Sequence, residues 1–156
     1  MMTSEISTLE PLRKSVTVKK PQREAFALFT EGVATWWPLR THSVFEDDAV
    51  TCVFESGKGG RIFERTMAGA EHDWGEVTIW EPPTRLGYLW HLRQDPAVPS
   101  EVEIRFVPEG QARTRVEIEH RGWERLGADA QTWRDRNLGG WSTLLPHYLE
   151  AVRVGR

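Results

Sequence analysis

With 156 residues, 39% of them hydrophobic and 28% charged, the chain is long enough for one domain burying roughly 70% of its unfolded surface, and too apolar to stay disordered. A net charge of −3 with no Lys/Arg run argues against a nucleic-acid binder, and no apolar run reaches the length of about 18 residues that a membrane span needs. The single cysteine, Cys52, excludes an internal disulfide and a cysteine-built metal site.

Residues 1–11 are expected to form a flexible tail ahead of a single domain with its core at 13–153. In Lys14–Lys20, Val16 and Val18 alternate with polar neighbours, which predicts a first strand. Pro21 is pre-set for a helix start, and Ala25, Phe26, Leu28, Phe29 and Val33 then recur at helical spacing. Trp36-Trp37-Pro38 closes a second short helical turn, because a residue before proline is pushed out of the helical region. A loop over 39–49 leads to two strands, Val50–Glu55 and Arg61–Met67, joined by the turn SGKGG as a hairpin.

The stretch Asp73–Leu92, DWGEVTIWEPPTRLGYLWHL, organises the rest. It reads as two strands interrupted at Pro82-Pro83, since proline removes a ladder donor. In the second strand Leu86, Tyr88, Trp90 and Leu92 share one face. In the first, parity puts Val77 and Ile79 with Gly75, and Trp74 and Trp80 on the opposite face unless a bulge resets the register. Two more alternating strands follow, one through Val102, Ile104 and Phe106 and one through Val116, Ile118 and His120.

From Ala128 to Val154 the period changes. Leu138, Trp141, Leu144, Leu145, Tyr148, Leu149 and Val152 form one apolar helix face, with a bend or break expected at Gly139-Gly140 or Pro146. A helix with such a stripe must be covered, so the fold class is α+β: a curved antiparallel sheet of six to seven strands wrapped on a long C-terminal helix.

Five motifs carry a resemblance: AFALFTEGVATWWP at 25–38, GGRIFER at 59–65, GEVTIWEPPTRLGYLWHL at 75–92, TRVEIEHRGWE at 114–124 and GGWSTLL at 139–145. In these residues the chain resembles the START-like (SRPBCC, helix-grip) superfamily, and within it the branch named after the activator of the heat-shock-protein-90 ATPase. The resemblance spans roughly residues 13 to 153. It implies a cavity enclosed by sheet and C-terminal helix, in a superfamily of lipid and hormone carriers, aromatase/cyclase enzymes and co-chaperones.

Within that fold, Trp37, Phe63, Tyr88, Trp90, His120, Trp141 and Leu145 are the expected cavity residues, suited to a hydrophobic or aromatic small molecule. A second reading is a cyclase or hydrolase using an inward His120 with Glu64 or Arg65, which point to opposite faces in an order the sequence leaves open. A third is a chaperone or other protein partner docking on an exposed face built from Trp123 and Trp133. The histidines at 42, 72, 91, 120 and 147 lack metal-ligand spacing, so neither metal nor cofactor is expected, and the absence of a signal-peptide core points to the cytoplasm.

Overall fold

The computed structural model describes residues 9–154; residues 1–8, most of the expected tail, lie outside it. Strand β1 (Leu12–Val18) leads into helix α1 (Gln22–Phe29), then β2 (Ala49–Phe54), β3 (Arg61–Thr66), β4 (Glu71–Glu81), β5 (Arg85–Trp90), β6 (Ser100–Pro108), β7 (Thr114–Arg121) and helix α2 (Ala130–Arg153). All pairings are antiparallel, in one seven-stranded sheet of order β1-β7-β6-β5-β4-β3-β2. This is the helix-grip α+β architecture that the alternation and the C-terminal stripe imply. Leu9 already packs against the core, and the Glu10 carbonyl accepts from Arg134 Nε on α2 at 2.7 Å.

Local chemistry accounts for the elements. Pro21 stands at the N-cap of α1, its carbonyl accepting the Ala25 amide, and Ala25, Phe26, Leu28 and Phe29 form the buried face. The short helical turn expected at Trp36-Trp37-Pro38 falls three residues earlier, at Val33–Thr35, leaving both tryptophans free of helical geometry to face inward. Helix α2 runs without a break through Gly139, Gly140 and Pro146, so the break considered there does not occur. Pro146 takes only one donor from the ladder, and the Ser142 carbonyl that loses it lies on an exposed turn. Burial of Trp141, Leu144, Leu145 and Tyr148 keeps the helix continuous through its weak points.

Two irregularities in β4 overturn the simple parity of that strand. The β3–β4 register shifts between Ile62 and Phe63, so that Trp74 becomes an extra residue, and it is fully buried. The β4–β5 register shifts again between Val77 and Ile79, which returns Trp80 to the inner face, edge-on to Phe26 at 5.2 Å. Both tryptophans therefore face the core rather than the outside. Gly75 makes the first shift possible: a Cβ there would lie 2.0 Å from the Leu89 carbonyl oxygen.

Inside the sheet, rings fill the space. Phe26, Phe29 and Phe106 pack together, and Phe29 continues to Trp36 and Tyr148 at 5.3 Å each. The void left between Phe54, Trp74, Tyr88 and Trp90 is about 10 Å³, too small for a ligand.

Candidate functional site

The space available to a small molecule lies at the mouth of the grip, in a half-open cleft of about 420 Å³. Trp37, Tyr88 and Trp90 form its inner end, and Leu92 and Arg93 form one rim. Helix α2 supplies the opposite wall through Trp133, Arg136, Asn137, Gly139, Gly140 and Trp141. Rings pass the aromatic lining inward: Trp37 lies 5.1 Å from Trp74 and 5.7 Å from Trp90, which lies 5.7 Å from Tyr88. A groove on the outer sheet face is of similar size, about 540 Å³, but carries charges such as Glu103 already paired with Arg85 and Arg105, and no aromatic ring.

The loop between α1 and β2 forms the rim, and it is fastened from below and from the side. Glu64 points inward, fully buried, and accepts from the Val44 amide at 2.6 Å, the Phe45 amide at 2.8 Å and the Trp74 indole at 2.6 Å. From the side, Arg93 donates through Nε and one terminal nitrogen to the Ser43 carbonyl, at 3.0 and 2.6 Å, and pairs with Glu46 at 3.2 Å. Arg93 and Glu46 both have left-handed backbones, with φ of 60° and 51°. Such conformations cost about 1 kcal/mol or more in non-glycine residues and collect where a rim or clamp must hold a set shape. Trp37 closes the same loop by donating to the His42 carbonyl at 2.7 Å.

Of the residues the sequence singled out, Trp37, Tyr88, Trp90 and Trp141 line the cleft together. Leu145 is buried in the core behind them. Phe63 faces the other way: on the outer face it lies under the guanidinium groups of Arg61, at 3.9 Å, and Arg65, at 5.3 Å, so it is covered without touching the cleft. The inward member of the Glu64/Arg65 pair is Glu64; Arg65 binds Glu71 outside.

His120 points inward as parity requires, but both ring nitrogens are occupied. Nδ1 accepts the Trp141 indole proton at 3.0 Å, so Nε2 carries the proton and donates to Ser100 Oγ at 2.7 Å. His120, buried with both ring nitrogens bonded, and Glu64, with three N–H donors, are both engaged in holding the fold. Trp123 is also buried, stacked 4.4 Å from His120 and donating to its carbonyl, so it builds no exposed docking face. Trp133 lines the cleft with Arg136 over its ring at 4.8 Å.

Sequence reasoning missed His42, Arg93, Arg136 and the glycine pair as cleft residues. His42 is the imidazole on the cleft wall, its Nδ1 2.8 Å from Thr41 Oγ1, and partial burial together with the charges of Arg93 and His147 lowers its pKa. A side chain built at Gly139 or Gly140 would meet no heavy atom within 4 Å, so packing does not demand glycine there. Two glycines at mid-helix were a signal of the open wall. Among the described residues no cluster of His, Cys, Asp and Glu is placed to hold a metal, and no helix is long and apolar enough to cross a membrane.

The family described as activator of Hsp90 ATPase homolog 1-like protein matches residues 19–152. Among solved structures, the chain is 35% identical to the self-sacrificing resistance protein CalC from Micromonospora echinospora, with a TM-score of 0.71 over 91% of this chain and 93% of that one. It is 34% identical to an anthrahydroquino-gamma-pyrone synthase, with a TM-score of 0.57 over 80% and 84% of the two chains. An Hsp90 activator from Plasmodium falciparum shares the fold at 18% identity, with a TM-score of 0.63 over 91% and 94%. No curated protein matches the chain significantly.

Proposed function

The chain belongs to the activator of Hsp90 ATPase homolog 1-like family, and from that premise we propose that it binds a planar aromatic small molecule in the cleft between the Trp37–Arg93 rim and helix α2. The observation that carries this reading is the lining itself: Trp37, Tyr88, Trp90, Trp133 and Trp141 around about 420 Å³, with a wall cut back at Gly139-Gly140. Clefts of this size with a few polar groups are the usual form of small-molecule sites. Support comes also from the synthase at 34% identity, whose name describes a fused aromatic product.

Burial of about 200 Å² of ring surface would contribute ~5 kcal/mol, close to the lower bound of what association costs. Polar contacts therefore decide whether binding is useful. A second reading, acid–base catalysis on the bound molecule, is favoured by His42, the imidazole on the cleft wall, whose neutral form is promoted by burial and by the charges of Arg93 and His147. Loss of turnover without loss of binding in His42→Gln would distinguish catalysis from carriage.

The binding reading is tested with N-phenyl-1-naphthylamine, a neutral aromatic probe, by its fluorescence gain and the quenching of protein tryptophan. Saturable binding is expected, and Gly140→Leu, which fills the wall without a clash at Cβ, is expected to abolish it while the protein stays folded. A probe that fails to bind, or binds Gly140→Leu as well as the parent, overturns the reading.

A further inference from the structure

The polar groups of the cleft have one sign. The chain carries 23 acidic residues against 20 Lys and Arg, yet no Asp or Glu lines the cleft, while Arg93 and Arg136 do. Arg93 spends part of its donor set on Ser43 and Glu46. Arg136 makes no ion pair among the described residues; its recorded contact is the face of Trp133. Burial first, and the charges of Arg93 and His147 after it, lower the pKa of His42 beside them.

Neutral donors without a partner also lie on the cleft, beside one acceptor, Asn137 Oδ1, that receives no hydrogen bond among the described residues. Of the two tyrosines, Tyr148 donates to the Ala25 carbonyl at 2.8 Å, whereas Tyr88, 3% exposed and on the cleft wall, has no hydrogen-bond partner among the described residues. Burial holds the Tyr88 phenol far above its ordinary pKa, so it stays a protonated donor. The indoles of Trp36, Trp37, Trp74, Trp123 and Trp141 all find acceptors. Those of Trp80, Trp90 and Trp133 find none among the described residues, and the last two line the cleft. These donors open onto the cleft; the fully buried side-chain atom left without a partner among the described residues is His91 Nδ1, which lies outside it. Donors gathered round one apolar slot, beside an arginine without a counter-ion, fit a ligand that brings the acceptors and the negative charge.

We propose that the cleft selects an aromatic anion: a planar ring system bearing an acidic oxygen group that Arg136 and Arg93 hold at the rim, with further carbonyl or phenolic oxygens accepting from Tyr88 and Trp90. This rests on the reading of the cleft as an aromatic-binding site and names the chemical class it takes. The ring enters between Trp37 and Trp141, and the charge stays at the half-open end, where desolvation costs least.

Two probes with one ring frame test it: 8-anilino-1-naphthalenesulfonate, an anion, and neutral N-phenyl-1-naphthylamine. The parent is expected to bind the anion more tightly. Arg136→Gln, an exposed change on α2 that gives up the guanidinium's contact with Trp133, is expected to weaken the anion about fivefold, the scale of a part-exposed ion pair, and the neutral probe by clearly less. Raising salt from about 20 to about 300 mM should weaken the anion alone. Equal affinity for the two probes in the parent, or equal losses for both in Arg136→Gln, overturns the charge assignment and leaves the aromatic reading standing. Failure of both probes to bind, or binding of both that Gly140→Leu does not disturb, overturns the aromatic reading and this inference with it.

Discussion

Trp141 donates its indole N–H to Nδ1 of His120 at 3.0 Å, and this bond decides what kind of residue His120 is. The imidazole must be neutral with its proton on Nε2, which Ser100 Oγ accepts; Ser100 in turn donates to the Trp90 carbonyl at 3.3 Å. The chain of bonds ties α2 to β5, β6 and β7 directly behind the cleft. It is a strut, and the strut has a pH limit.

Burial lowers the His120 pKa from 6.5 to about 3. In the unfolded chain the ring protonates near its ordinary pKa, whereas the folded protein resists until far lower pH. Between these values the unfolded state holds the extra proton, so stability falls as pH falls from about 6.5 toward 3, by up to ~1.4 kcal/mol per pH unit. Urea denaturation at stepped pH reads this slope. His120→Gln, whose amide can both accept from Trp141 and donate to Ser100, should flatten it; an unchanged slope in the variant would assign the acid sensitivity elsewhere.

Glu64 holds the rim loop through two backbone amides and the Trp74 indole. Glu64→Gln removes the charge and turns an NH2 toward donors, which should cost about 2–4 kcal/mol. Hydrogen exchange at Val44 and Phe45 should accelerate more than at the strands. Uniform loosening across the sheet would show that the carboxylate supports the core and not the loop.

Gly139→Ala and Gly140→Ala should each stabilise the protein by about 0.5–1 kcal/mol, because alanine improves helix propensity and its Cβ meets open space. Thermal melts check the sign. The same substitutions narrow the cleft and should weaken N-phenyl-1-naphthylamine, so stability and binding move in opposite directions. A fall in melting temperature would reveal packing against that wall.

Cys52 is buried and its thiol is pushed up to about 12, by burial first and the charge of Glu64 second. A thiol-directed disulfide reagent should leave the native protein unmodified at pH 8 and react fully in denaturant. Rapid native labelling would place β2, an edge strand, in frequent local opening.

The fold was legible because period-two alternation and a single apolar helical stripe are local properties of the chain. Parity also placed Tyr88, Trp90 and His120 on the inner face, where they lie. Parity failed at Trp74 and Trp80, since a bulge shifts every later side chain by one position and leaves little trace in the residues around it. It could not order Glu64 and Arg65 either, and the expectation of Phe63 in the cavity fails with it. Hydrophobicity alone would put the phenyl inside, but the carboxylate goes in, because the rim loop and Trp74 bring three N–H donors to it and two arginines cover the ring.

The cleft itself belongs to tertiary structure. Trp37, the stretch from Tyr88 to Arg93, and Arg136 lie far apart in sequence, and nothing near any one of them says that the others are close. By itself the sequence determined the sheet and the long helix, set by repeating local patterns, and the likeness to the family, carried by its motifs. Only the folded chain decided that the enclosed space is filled by rings and that the open space lies at the mouth, because volume depends on how side chains from separate elements meet.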